Sequence, residues 1–211
     1  ATQVAAMNHL QFGPMGLSGD FNGDGYTDLA HVEPATNHWH VMLNSASTFG
    51  QEQTWLGATL PAATIPLVGD VDSDGKADLI LWNSSSGLWQ VAKSTGSSFN
   101  APTTWQGGFG GGQTPLMGDF NGDQRLDAGA VSNGTWTMAL STGSSFGSPT
   151  TWLSGFGSGA TPLTGDFNGD GLTDVAAASS GTIAVALSDG TRLVSQPTAW
   201  TTGFGSGQAV T

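Results

Sequence analysis

The chain has 211 residues, no cysteine, 33 glycines and a net charge of −12, with 16 acidic residues against Lys76, Lys93, Arg125 and Arg192. So few cations argue against binding a phosphate backbone, and the absence of cysteine excludes disulfides and thiol chemistry. No apolar run approaches the roughly 18–20 residues that cross a bilayer, so membrane insertion is not expected. Only 9% of residues are charged, and eight tryptophans and ten phenylalanines supply ample burial, which argues for a folded chain.

In chain order, the opening segment ATQVAAMNHLQF fits no later pattern cleanly and is read as an extra strand over 1–12. It shows no signal-peptide pattern, as a processed secreted chain would not either. The stretch GDFNGDGYTD follows, packing Asp20, Asn22, Asp24 and Asp28 among glycines. The same loop returns with Asp70, Asp72, Asp74 and Asp78, with Asp119, Asn121, Asp123 and Asp127, and with Asp166, Asn168, Asp170 and Asp174. The first aspartates lie 50, 49 and 47 residues apart. Trp55, Trp105, Trp152 and Trp200 keep the same phase, as do Trp39, Trp89 and Trp136, with Ile183 in the fourth place. One supersecondary unit is repeated four times, over about 14–60, 61–110, 111–159 and 160–205, within a single repeat domain spanning 1–211.

Within a unit, ATPLTGD leads into the loop and TDVAAAS leaves it. GTIAVALS and GLWQVAKS alternate as half-buried strands do, FGSPTTW supplies a fourth, and Gly, Ser, Asn and Pro fill the gaps. The expectation is an all-β fold of β-propeller type, with four four-stranded antiparallel blades and calcium loops. A parallel β-helix is the second choice, because it normally has a shorter period.

Each loop offers side-chain oxygens at positions 1, 3, 5 and 9 and a backbone carbonyl at 7, a donor set for a hard cation of calcium's size. Glycine at position 6 permits the sharp turn. An EF-hand would carry glutamate at position 12, where His31, Leu81, Ala130 and Ala177 stand instead. Asp and Gly also build ordinary turns, but four copies in register are poorly explained that way. The loops hold 13 of the 16 acids, and four Ca²⁺ ions would bring −12 to −4. In the third loop Gln124 replaces the glycine and Arg125 adds a cation, which predicts the weakest of the four sites.

The pattern D-x-[DN]-x-[DN]-G-x-x-D between strands resembles the FG-GAP/VCBS-type repeat of integrin α-subunit propellers, propeller lectins and modules of secreted bacterial enzymes. The resemblance covers residues 14–200. Position by position it implies calcium ligation by the sixteen Asp and Asn side chains named above, with Tyr26, Lys76, Arg125 and Leu172 contributing carbonyls only. Rings of this kind usually have more blades, which leaves three arrangements open: a four-bladed ring closed by pairing of the ends, a ring completed by a second chain as a homo-oligomer, or a piece of a longer protein.

For function, nearly all acids lie in the loops, no G-x-S-x-G elbow occurs, and no enzyme is expected. His38 and His40 fall on one strand face, where they could share a transition metal, although solvation is the commoner use of such a pair. The polar, aromatic, charge-poor composition suits glycans or glycoproteins as ligands of a secreted lectin-like module. Trp105/Phe109, Trp152/Phe156 and Trp200/Phe204 are expected either to line sugar pockets at blade junctions or to pack the blades together, the usual role of regularly repeated hydrophobes. Trp82 has no counterpart in the other units and is read as a surface contact. The alternatives to a lectin are a protein-adhesion or scaffolding propeller and an accessory domain of a larger secreted enzyme.

Overall fold

The structure is a computed structural model and describes residues 16–33, 35–57 and 61–203. The strand expected over 1–12 therefore lies outside the described residues. Sixteen strands form four antiparallel sheets, each built from four consecutive strands. The first holds β1 (Gly16–Gly19), β2 (Asp28–Glu33), β3 (His38–Met42) and β4 (Gln53–Gly57). The second holds β5 (Thr64–Gly69), β6 (Asp78–Asn83), β7 (Leu88–Ala92) and β8 (Thr103–Gln106). The third runs β9 (Thr114–Gly118), β10 (Asp127–Ser132), β11 (Thr135–Ala139) and β12 (Thr150–Leu153). The fourth runs β13 (Thr161–Gly165), β14 (Asp174–Ser179), β15 (Thr182–Ser188) and β16 (Leu193–Ser195). The described residues contain no helix. Consecutive antiparallel pairing excludes the parallel β-helix, and the architecture is that of propeller blades.

Turn chemistry sets each register. Asn133 and Gly134 join β10 to β11 with φ of 49° and 76°, and Ser180 and Gly181 join β14 to β15 with 48° and 79°. Two left-handed residues in succession match the right-handed twist of a hairpin. A bulge then recurs between the third and fourth strands, at Trp39/His40, Trp89/Gln90 and Trp136/Thr137. It follows the large indole of each of the first three units and re-aims the strand there.

The chain forms two compact units, one of the described residues up to 112 with 143–145, the other of 113–142 with those from 146 onward. In the first unit Phe21, Trp39 and Trp55 of blade one pack with Leu79, Leu81, Ala92 and Phe99 of blade two. Phe99 sits edge-on to Phe21 and Trp55, with ring centroids 5.5 and 5.2 Å away. Backbone bonds accompany this packing: Ala77 N–H donates to Asp20 O at 2.7 Å and Phe99 N–H to Trp55 O at 3.1 Å. The Ser94 hydroxyl donates to Phe21 O.

The second unit repeats the arrangement with Phe120 and Trp152 of blade three and Leu193 of blade four in one core. Here Thr173 N–H donates to Asp119 O and Ser188 Oγ to Phe120 O, both at 2.7 Å. Close approach of the blades requires a glycine ahead of the loop. A Cβ on Gly118 would lie 2.4 Å from Thr173 Cγ2, whereas one on Gly165 would meet nothing nearer than Phe167 at 3.5 Å.

Gly118→Ala is therefore expected to destabilise the protein by about 1–3 kcal/mol through overpacking, and Gly165→Ala, at the same place in its repeat, by much less. Denaturant unfolding of both variants tests this. Equal midpoints would contradict it.

Candidate functional site

The four acidic loops share one geometry. Asp20, at the end of β1, accepts the N–H groups of Gly23 at 2.8 Å, Asp24 at 3.1 Å and Gly25 at 2.8 Å. Asp70 does the same for Ser73, Asp74 and Gly75, Asp119 for Gly122, Asp123 and Gln124, and Asp166 for Gly169, Asp170 and Gly171. Drawing three donors onto one carboxylate takes two left-handed residues, not one. Position 6 holds Gly25, Gly75, Gln124 and Gly171, and position 4 holds Gly23, Ser73, Gly122 and Gly169, all at positive φ. The need at position 4 escaped the sequence reading, although glycine in three of four copies was the signal. Gln124 adopts φ 68° and keeps the turn despite its side chain.

Within each loop the third residue (Asn22, Asp72, Asn121 or Asn168) accepts the N–H of the fifth at 2.9–3.2 Å. The fifth (Asp24, Asp74, Asp123 or Asp170) accepts the N–H of the seventh, Tyr26, Lys76, Arg125 or Leu172. The ninth residue, Asp28, Asp78, Asp127 or Asp174, is wholly buried. One of its oxygens accepts the N–H of the second loop residue: Phe21, Val71, Phe120 or Phe167. The other accepts the N–H of Asn44, Ser94 or Ser141, just past the third strand of the blade, or of Ser188 at the end of it.

Burial raises all four ninth-position carboxyls above the ordinary range, against the lowering effect of those N–H bonds, and loop aspartates add to the rise. Asp78 and Asp127 are raised to about 7. In the second loop, oxygens of Asp70, Asp72 and Asp78 lie within 4.8 Å of one another. Converging carboxylates, one of them buried, fit a hard divalent cation. Cations of the chain already touch two loops. Arg125 pairs with Asp123, as the sequence suggests, while Lys76 meets Asp74 and Lys93 meets Asp72, both at 2.8 Å. Lys93 reaches the loop from the end of β7, a contact that the local spacing does not reveal.

The aromatic pairs need correction as stacking platforms. Trp105, Phe109, Trp152 and Phe156 are all at least nine-tenths buried. Trp89 Nε1 donates to Phe109 O and Trp136 Nε1 to Phe156 O, each at 3.0 Å, so the phenylalanines pin a glycine-rich segment over an indole. Trp82 is buried as well, its ring 5.8 Å from that of Trp89, and is no surface contact. Trp200 is 48% exposed and lies edge-on to Phe167. Phe204 lies outside the described residues.

Above the pinned segment of the second unit is a shallow cleft of about 250 Å³. Gln113, Thr114, Ser132, Asn133 and the backbone of Gly157 and Gly159 line it. Amide and hydroxyl groups there offer both donors and acceptors and no formal charge.

Repeated four-stranded blades, each with an oxygen-rich loop between its first two strands, define a propeller-type repeat protein. The FG-GAP-like repeat profile matches residues 20–81, 70–130 and 119–177, more than half of the chain, and the chain belongs to that family. No curated protein sequence matches it. Among solved structures, an Agrocybe aegerita lectin described for specific recognition of non-reducing terminal N-acetylglucosamine aligns at 19% identity and a TM-score of 0.72. That alignment covers 86% of this chain and 51% of the lectin. The Photorhabdus luminescens Tc holotoxin pore aligns at 19% identity and a TM-score of 0.62, over 94% of this chain and 10% of that one. The chain thus spans about half the length of the lectin and a tenth of the toxin chain. The described residues contain no helix long and apolar enough to cross a membrane.

The raised aspartates carry a pH prediction. A carboxyl raised above its unfolded value of about 3.9 makes the folded state hold more protons, so its contribution is fullest below about pH 4 and is lost as pH rises. For Asp78 and Asp127 the loss extends to about pH 7. Asp189, lowered to about 2 chiefly by the Thr191 hydroxyl, acts below this window. In chelator the melting midpoint is expected to fall between pH 5 and pH 8. A midpoint rising over that range would contradict the assignment.

Proposed function

We propose that this chain is a calcium-stabilised, non-catalytic recognition module that binds carbohydrate outside the cell. The likeness to the Agrocybe lectin over 86% of the chain carries the reading. That lectin recognises a terminal sugar, and the uncharged polar cleft beside Asn133 suits a polyhydroxylated ligand of that kind. Gln113 and Asn133 amides would meet sugar hydroxyls as donors and acceptors, with Thr114 and Ser132 completing the set. The ligand would then meet the glycine-rich segment around Phe156 on its polar side, and not the buried Trp and Phe rings of the blade junction.

Calcium is assigned to the side chains at positions 1, 3, 5 and 9 of each loop and to the carbonyls of Tyr26, Lys76, Arg125 and Leu172, up to four ions in all. When bound, the ion supplies positive charge where each loop gathers three carboxyl groups and an amide or, in the second loop, four carboxyl groups. The third site is the weakest, because Arg125 holds one of its only three carboxyls, Asp123, whereas the second loop, whose Asp74 and Asp72 meet Lys76 and Lys93, has a fourth. The ions are structural: each would offset the charge of a buried aspartate that already ties loop to hairpin. A second reading, as an accessory module of a larger protein, draws support from the toxin, in which a comparable fold is a tenth of the chain.

Two measurements test these assignments. Millimolar Ca²⁺ is expected to raise the melting midpoint well above that in EDTA by mass action, and an unmoved midpoint would return the loops to ordinary turns. On a broad glycan panel that includes terminal N-acetylglucosamine, binding is expected, and Gln113→Ala or Asn133→Gly should weaken it about 10-fold without changing the midpoint. Glycine suits position 133 because Asn133 has φ 49°. No response across the panel would overturn the carbohydrate reading while leaving the calcium reading untouched.

A further inference from the structure

Blade one has a face unlike any other in the chain. Along β2 and β3, Ala30, Val32, Trp39 and Val41 are buried, and the alternating positions His31, Glu33, His38 and His40 lie on the opposite side. The register sets His31 across from His40 and Glu33 across from His38. In the other blades the His31–His40 pair is replaced by Leu81–Gln90, Ala130–Thr137 and Ala177–Ala184, so the cluster belongs to this blade and not to the repeat.

Glu52, just ahead of β4, aims one carboxylate oxygen at both rings, 2.8 Å from His31 Nε2 and 3.2 Å from His40 Nδ1. The natural assignment gives each of those nitrogens a proton directed at the carboxylate. His40 Nε2 then carries a lone pair, yet it is buried and has no hydrogen-bond partner. The nearest carboxylate across from it is Glu33, with Oε2 at 3.8 Å. That separation is too long for a hydrogen bond and close to what a zinc ion spans, with about 2.0 Å to an imidazole nitrogen and about 2.0–2.2 Å to a carboxylate oxygen. The His38 ring stands 6.3 Å from that of His40, on the same face.

We propose that His40 Nε2, Glu33 and His38 form a binding site for a zinc-like transition-metal ion on the outer face of blade one. Glu52 stands behind His40, fixing its tautomer and orientation as carboxylates commonly do for metal-bound imidazoles. Glu33 turns from its bond with the Thr36 hydroxyl to reach the ion. His38 reaches it by side-chain rotation, and water takes the remaining position. Imidazole nitrogen selects zinc, nickel or copper over calcium, so this site and the acidic loops would load different ions.

The test is a Zn²⁺ titration by calorimetry in excess Ca²⁺, which keeps zinc off the loops, with Co²⁺ absorption reporting the ligand set. One equivalent is expected to bind, with the visible bands of low-coordinate cobalt. His38→Ala, at a half-buried surface position, and His40→Ala should abolish binding. Glu52→Gln should weaken it about 10- to 100-fold. The zinc-free midpoint of His38→Ala should stay unchanged, which separates loss of a ligand from loss of fold. No binding by the unaltered chain at millimolar zinc, or unaltered binding by His38→Ala, would overturn the proposal.

Discussion

The buried aspartate at the end of each acidic loop is the constraint on which the rest of the blade depends. Asp28, Asp78, Asp127 and Asp174 are removed from water where a bare carboxylate is costly. Each is tolerated because both oxygens accept backbone N–H groups, one from the start of its own loop and one from the end of the third strand or just beyond it. One side chain thereby ties together the loop, β2 or its equivalent, and the exit of the following hairpin. Its remaining instability as an anion, visible in the pKa values near 7 in blades two and three, is what a bound cation would relieve.

That constraint was legible because it repeats. Four copies of D-x-[DN]-x-[DN] in phase with tryptophans located every loop, and alternating apolar residues located the strands around it. What stayed hidden depends on contacts that sequence distance does not encode. His38 and His40 stand out because they are two residues apart, but the partners that give them chemistry, His31, Glu33 and Glu52, come from a neighbouring strand and from the approach to β4. Lys93 likewise reaches Asp72 only because β7 ends beside the second loop.

The aromatic residues teach the complementary lesson. A tryptophan and a phenylalanine four apart in glycine-rich chain suit a sugar platform or, more commonly, packing, since both uses need a flat apolar ring and close backbone approach. Burial separates them: Trp105, Phe109, Trp152 and Phe156 are each at least nine-tenths covered and leave no face for a ligand, while the Trp89 and Trp136 indoles donate to Phe109 O and Phe156 O. The same pinning holds the glycine-rich segment in place, and in the second unit it leaves a polar concavity above it.

The carbonyls beside the loop aspartates accept bonds from the next blade: Asp20 O from Ala77, Phe21 O from Ser94, Asp119 O from Thr173 and Phe120 O from Ser188. A blade cut out at its own strand boundaries would leave those acceptors behind and carry off donors with nothing to meet. A segment that keeps every such bond intact runs from one loop to the end of the third strand of the next blade or just past it, at Ser188 or Ser94, whereas the family profile matches at 20–81 and 119–177 end before those serines. Duplication and recombination in a gene of this kind would therefore preserve folding best with crossovers inside the first and third acidic loops, whose two copies carry the same bonds to the blade that follows.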